Sequence, residues 1–579
     1  MTRNKKVSFM RSLCMGEIEQ DVIFPFPKVQ EAERQTLKGV FDTIEAWLNT
    51  KGPEFRKWDR AGEMPPEFLK EMREMGLFSL IVPEEHGGLG LSSTGYSRTL
   101  QELARFDGSV AITAGAHSSI GMRGLLLFGN EEQKAKYFPA LATGEMIAAF
   151  CLTEAGAGSD AASIKTKAVK EGDHWILNGE KLWITNGGIA GFFTVFARTE
   201  TPEGKMTAFI VTKDMPGVSC GPHEDKMGLR ASSTTTVHLE NVKVPNANVL
   251  GPVGKGFKVA MNILNSGRCG LGGGCVGGMK RLIEISSKQA NQRVQFGKKI
   301  GDYGLIKQKL GHMVVECYAT EAVVSMVAGL VDQGYEDYAV EAAISKVFGT
   351  ECLWRTADEA LQIAGGNGYM CEFPYERVLR DCRINRIFEG TNDILRLFIA
   401  LTAMNDVGTQ LKELSKSLEG IFQDPIKGFG LLSDYGLKRF SHATGVKGAK
   451  HTLSKTHRKL KDQTGIFEDG VRDLSAAADR ILRKHGKNII EKQFATKRLA
   501  DIMIDLFVLG CVLSRVTASI EGKGEAASAK ELEILNVFAG QVRRRTKSNF
   551  GKIDDNDDEL IKSLADHALT HEQYTWDNF

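Results

Sequence analysis

A chain of 579 residues is too long for one hydrophobic core, and at ordinary domain sizes it divides into about two to four. Its 42% hydrophobic and 25% charged residues are those of a globular protein, and a net charge of +2 speaks against a nucleic-acid binder. Ten cysteines without a CxxC pair or a pairing rhythm argue for free thiols, against both a zinc site and a disulfide framework.

The basic N-terminal segment, residues 1–23, opens with Arg3, Lys5, Lys6 and Arg11 and no acid among its first fourteen residues. Two readings stand: an organelle-targeting segment or its remnant, and a disordered basic tail. From 24 to 149 apolar residues recur at three- and four-residue spacing, as in EAERQTLKGVFDTIEAWL, which predicts an N-terminal α domain. At 150 the texture changes to short runs of β-branched and aromatic residues broken by turns, HWILNGEKLWITNGG and TTTVHLENVKVP among them. That is a central β domain over 150–255. Helical spacing returns over 256–414, including the apolar stretch LIKQKLGHMVVECYATEAVVSMVAGLVDQ. A basic linker, 415–465, leads to an extra helical domain over 466–579. The fold class is therefore mostly α with a central β domain, α–β–α, plus a second C-terminal all-α domain. No apolar run reads as a membrane span; the best, Leu506–Leu513, is short and follows Asp505.

Gly272-x-Gly274-x-x-Gly277 fits the dinucleotide fingerprint, but that motif needs a strand before it, and GFKVAMNILNSGR reads as helix. A Rossmann domain is set aside, and the seven glycines between 267 and 278 read as close packing against a neighbour or ligand. FCLTEAGAGSD, 150–160, combines a strand-like start with Gly156, Gly158 and the Ser159 hydroxyl, a turn that could line a pyrophosphate or a ring edge. In KLWITNGG, 181–188, Trp183 could cover a planar cofactor while Thr185, two residues on, reaches its edge; a core tryptophan is the simpler alternative. RIFEGTNDILR, 386–396, sets Glu389 before Gly390 in apolar surroundings. Taken alone, that acid is either a helix start or a base aimed into a pocket.

These stretches, with KMGLRASSTTTVHLENVKVP, GKGFKVAMNILNSGR, RVQFGKKI, QIAGGNGY and RDCRINRIFEGTNDILR, occur in the order and spacing of the acyl-CoA dehydrogenase family, which residues 24–404 resemble. FPFP, GAHSSIG and the helical C-terminal extension resemble its very-long-chain branch and a close paralogue. The resemblance implies FAD as cofactor and removal of two hydrogens from an acyl-CoA to give the trans-2-enoyl-CoA, with Glu389 as the base. Burial beside Ile387 and Phe388 would raise its pKa and strengthen it.

The same resemblance implies FAD contacts at Phe150, Leu152, Thr153, Gly158 and Ser159, at Trp183, Ile184 and Thr185, and at Thr391, Asn392 and Asp393. It implies further FAD contacts, to a neighbouring protomer, at Arg293, Phe296, Gln362, Gly365 and Gly366, hence a homodimer. Ser159, Asn265, Arg268 and Gly390 are implied on the substrate side, and no metal is. Two departures stand out: Gly304 and Lys307 replace common glutamines, and the glycine cluster replaces small alanine- or serine-rich sequence.

Ala114, Gly115 and Ala116 would leave room in the acyl slot, which implies a long substrate of about C14 or more. Implied partners are electron-transferring flavoprotein and, through the basic stretch 436–461, a peripheral membrane contact. The implied location is mitochondrial, on the matrix side of the inner membrane. Alternatives are an assembly factor for respiratory complex I with residual activity, and an acyl-CoA oxidase.

Overall fold

The structure, a computed structural model, describes residues 8–199, 205–409, 411–412 and 451–577. It divides into two units, one of residues 25–394 and one joining residues 8–24 to the described residues from Leu395 onward. The first described helix, α1 (Phe9–Cys14), belongs to the second unit.

In the first unit, α2 (Glu31–Asn49) and α3 (Gly52–Ala61) precede α4 (Ser93–Phe106) and α5 (Gly108–Ala116). Asp107 ends one helix and begins the next: its Oδ1 accepts from the N–H groups of Ser109 at 2.9 Å and Val110 at 3.0 Å, a side-chain N-cap. A π-helical turn, His117–Gly121, follows α5. Such turns widen a helix locally and recur at functional sites.

The β domain is one sheet of β1 (Ala148–Cys151), β2 (Lys167–Glu171), β3 (His174–Thr185), β4 (Phe192–Thr199), β5 (Met206–Thr212), β6 (Val218–Cys220), β7 (Thr234–Pro245) and β8 (Val249–Leu250). Its order is β6-β7-β3-β2-β4-β5-β8, with β1 added parallel to β4. β4 is buried on both faces. Phe192 and Phe196 pack with the N-terminal helices, and Phe193, Val195 and Ala197 with Trp175 and Phe209 on the other side. Strand alternation thus splits one apolar run between two cores.

Four helices complete the unit: α6 (Gly256–Gln292), α7 (Gly304–Asp332), α8 (Ala339–Ala364) and α9 (Tyr375–Arg383). The glycine cluster lies inside α6, so the dinucleotide fingerprint is helical, as its context implied. Each glycine costs about 1 kcal/mol of helix propensity relative to alanine. Close packing requires two of them: a Cβ on Gly273 would lie 2.3 Å from the Ser97 carbonyl oxygen, and one on Gly277 2.0 Å from that of Gln101, both on α4. A hairpin of β9 (Val294–Gln295) and β10 (Lys298–Lys299) follows α6. The sequence reading found no membrane-length run, yet α7 is long and apolar enough to cross a membrane. The span escaped notice because Glu316 and Glu321 interrupt it, and 78% of its most apolar window is buried in the protein.

α10 (Asn392–Ala403) begins in the first unit and continues into the second. There α11 (Lys461–His485), α12 (Gln493–Lys523) and α13 (Ala529–Gly551) pack together, followed by α14 (Asp558–His571). Phe9 is fully buried in this unit, with its ring centroid 6.4 Å from that of Phe467 and 6.0 Å from that of Phe507. The tail reading is therefore corrected for residues 8–14. Phe9, Met10, Leu13 and Cys14 are an apolar stripe that counting charges overlooks. Residues 1–7 lie outside the described residues.

Candidate active site

Glu389 stands at φ 55° and Gly390 at φ 94°, two left-handed residues in succession between Arg386 and α10. For a glutamate this conformation costs about 1–2 kcal/mol, and such strain concentrates at functional sites. Its carboxylate faces α6: a Cβ on Gly267 would sit 3.5 Å from both carboxyl oxygens. Oε2 is fully enclosed and has no hydrogen-bond partner. Burial pushes the carboxyl up to about 7, against the opposing pull of Arg268 and Lys346.

The direction expected from sequence holds; of the two apolar neighbours, Ile387 is 47% exposed and Phe388 half-buried, and Gly267 of α6 adds to the enclosure. Arg268 is buried; it donates to Asn265 Oδ1 at 2.6 Å and to the Glu389 carbonyl at 3.3 Å. Asn265, Arg268, Glu389 and Gly390 are thus brought together.

Glu389 opens into a cavity of about 620 Å³. On α6 its wall is a stripe of Gly270, Gly274, Gly278, Arg281 and Ile285 with Leu271 beside its first residue, running about 22 Å at the helical rise of ~1.5 Å per residue. Ala104 and Gly115 face it from α4 and α5. Of the three small residues expected to open the slot, only Gly115 lines it. Ala114 packs in the core, because successive helical residues point about 100° apart and cannot share a face. The missing space is supplied by the glycines of α6.

The flavin side is built on a β-bulge. Register between β3 and β7 shifts between Lys181 and Ile184, so both are buried although three residues apart. Lys181 is fully enclosed and donates to Glu154 Oε1 at 2.7 Å and the Leu152 carbonyl at 3.2 Å. Glu154 also accepts from Thr166 Oγ1 at 2.6 Å, fixing both ends of the 153–166 loop. Burial pushes the Glu154 carboxyl up, but Lys181 and Thr166 outweigh it and hold it below the usual range.

Within the bulge Trp183, at φ 56°, projects 63% exposed, and Thr185 just beyond it is half-buried. The N–H groups of Gly156, Gly158 and Ser159 donate to no described residue, and a Cβ on either glycine would meet nothing within 4 Å. An exposed indole beside a ring of free amide donors fits the flavin and the pyrophosphate of FAD. The side chains of Ile184 and Leu152 point into apolar cores, which leaves their backbone groups to meet the cofactor. Phe150 is half-buried, its ring 5.0 Å from that of Phe196, and Thr153 receives the Leu182 N–H on its carbonyl.

Arg293, Gln362, Gly365 and Gly366 are exposed, and Phe296, at φ 50°, is 95% exposed at the tip of the β9–β10 hairpin. Asp393 is exposed and Thr391 half-buried. Asn392 is only 2% exposed, and its amide is engaged by Lys346, Thr350 and Glu351 of α8. Sequence reading missed Lys346, Lys181 and Glu154. A lysine inside the apolar run AAISKVFG was the available signal.

Of the basic stretch 436–461, residues 436–450 lie outside the described residues. Lys455 pairs with Asp21, and Lys459 with Glu525 at 3.3 Å.

Family models match along the chain: the N-terminal domain of acyl-CoA dehydrogenase at 34–145, its middle domain at 149–242, its C-terminal domain at 254–404, and the ACAD9/ACADV C-terminal domain at 458–574. The human mitochondrial very long-chain specific acyl-CoA dehydrogenase is 43% identical over 537 residues, 91% of this chain and 81% of that protein. A probable acyl-CoA dehydrogenase of Bacillus subtilis is 37% identical over 87% of this chain and 84% of its own. Among solved structures, an acyl-CoA dehydrogenase from Bacillus anthracis complexed with FAD superposes with a TM-score of 0.81 at 34% identity, covering 98% of this chain and 96% of that one. Butyryl-CoA dehydrogenase from Megasphaera elsdenii, TM-score 0.62 at 35% identity, covers 65% of this chain and 99% of its own.

Proposed function

Because the chain belongs to the acyl-CoA dehydrogenase family, and is therefore an oxidoreductase, we propose that it desaturates long-chain acyl-CoA thioesters to trans-2-enoyl-CoA with FAD. The observation that carries this reading is the enclosed, unpartnered Oε2 of Glu389 at one end of the cavity. The Glu389 carboxylate takes the α proton, and FAD, when bound, would supply the acceptor for the β hydrogen as hydride. The Glu389 N–H donates to no described group and is free to polarise the thioester carbonyl, which acidifies the α position. Arg268, bonded to the Glu389 carbonyl, steadies the turn. With a carboxyl pushed up to about 7, the ionised base is populated from neutral pH upward, close to the optimum for proton abstraction.

Chain length follows from the α6 stripe. At roughly 1.25 Å of advance per bond of an extended chain, from bonds of ~1.5 Å, a wall of about 22 Å accommodates some 16–18 carbons. Palmitoyl-CoA should therefore exceed octanoyl-CoA in kcat/KM by at least about tenfold, the equivalent of ~1.4 kcal/mol of extra apolar burial. A preference for octanoyl-CoA would refute the long-chain assignment.

Electrons would pass to an electron-transferring flavoprotein, and the exposed Phe296 hairpin suits a homodimer in which each protomer completes the other's FAD site. The names of the mammalian relatives support a mitochondrial location. A peripheral contact with the inner membrane from the matrix side would rest mainly on cations of 436–450, since Lys455 and Lys459 already have acidic partners.

A further inference from the structure

We propose that Lys346 is a positioning residue for the catalytic turn and the buried counter-charge that sets the protonation of Glu389; this rests on the reading of Glu389 as the base. Lys346 lies in the middle of α8 and is fully buried. Its Nζ donates to the Gly390 carbonyl at 2.8 Å and to Asn392 Oδ1 at 2.8 Å. It therefore spans the residues immediately after Glu389. One helical turn on, Thr350 Oγ1 accepts from the Asn392 amide at 3.0 Å, and Glu351 Oε1 accepts from the same amide at 3.0 Å. Lys346 and Thr350, one turn apart, share a face of α8, and with Glu351 beside them the helix grips Asn392 by both ends of its amide. Two consecutive left-handed residues persist only when their surroundings over-determine them, and this grip is what holds them.

The charge matters as well as the bonds. An ammonium transferred out of water is costly unless compensated, and no carboxylate lies within ion-pair distance of Lys346 among the described residues. What faces it are the Glu389 and Glu351 carboxylates at longer range, the Arg268 guanidinium, which opposes it, and the Cys275 thiol, which burial pushes up to about 12 and keeps neutral. Burial brings the lysine down to about 8, so it is cationic at neutral pH. Facing Glu389 in turn are Arg268 and Lys346, both of which favour its ionised form. Lys346 thus opposes the effect of burial and lowers the pH at which the enclosed base ionises.

The test compares pH profiles of kcat/KM for palmitoyl-CoA in the full-chain holoenzyme. Lys346→Met should move the acid-side midpoint upward by about one unit and lower activity at pH 7 about fivefold, with FAD still bound. Lys346→Arg, which keeps the charge, should return the midpoint toward wild type even where kcat is reduced. Asn392→Ala removes the grip and leaves the charge, so it should lower kcat with no shift of midpoint. An unshifted midpoint in Lys346→Met overturns the electrostatic role, and undiminished kcat in Asn392→Ala overturns the positioning role. Where Lys346→Met does not fold, Lys346→Arg and Asn392→Ala decide: equal midpoint shifts in both overturn the inference. Activity surviving in Glu389→Gln would overturn the reading of the base itself, independently of these results.

Discussion

Residues that carry chemistry here are recognisable by what each would cost if it did nothing. Glu389 and Trp183 both hold positive φ, and each leaves a polar or aromatic group unsatisfied by the protein. Their types and order were legible in RIFEGTNDILR and KLWITNGG. Their partners were not, because pairing between Lys181 and Glu154, or between Lys346 and Asn392, depends on tertiary approach that no local spacing encodes. Lys181→Met would strand Glu154 as a buried, uncompensated charge. That change should destabilise the first unit by about 3 kcal/mol and speed FAD release, read by thermal unfolding and free flavin fluorescence. The pair's contribution has a definite sign with pH. Glu154 is held below its unfolded value of 4.5, so the stabilisation is present above pH 4.5 and lost as pH falls through the depressed value. Unchanged stability in the variant at pH 7 would show that the pair adds nothing.

At the scale of elements, the sequence placed the β domain within two residues of its start, 150 against Ala148 at β1. It also discounted the glycine fingerprint correctly. What it could not supply was the purpose of those glycines, since a stripe at 270, 274 and 278 has meaning only once α4 and α5 face it. The geometry makes that stripe testable. Gly274 lies seven residues beyond Gly267, about 10 Å along α6 from the base, the reach of an eight-carbon chain. A Cβ added there comes no closer than 3.8 Å to Ala104, so a larger side chain enters the cavity without displacing backbone. Gly274→Leu should therefore lower kcat/KM for palmitoyl-CoA at least about tenfold while leaving octanoyl-CoA within about twofold. Parallel losses on both substrates would mean that the acyl chain does not follow this wall.

At the scale of the molecule, the order α, β, α, then α again was visible in changes of periodicity, and the family matches follow the same divisions. The first residues were misread because four basic side chains drew more notice than the stripe Phe9, Met10, Leu13 and Cys14. That stripe completes the core of the second unit through Phe467 and Phe507. The one reaction assigned to the whole chain is most directly tested by anaerobic addition of palmitoyl-CoA to the purified holoenzyme, following flavin absorbance in the native protein and in Glu389→Gln. The native flavin should bleach within seconds, while Glu389→Gln, with FAD and thioester both bound, should bleach at least about a thousandfold more slowly. Bleaching at the native rate in the variant, or none in the native enzyme, would contradict Glu389 as the base of an acyl-CoA dehydrogenase.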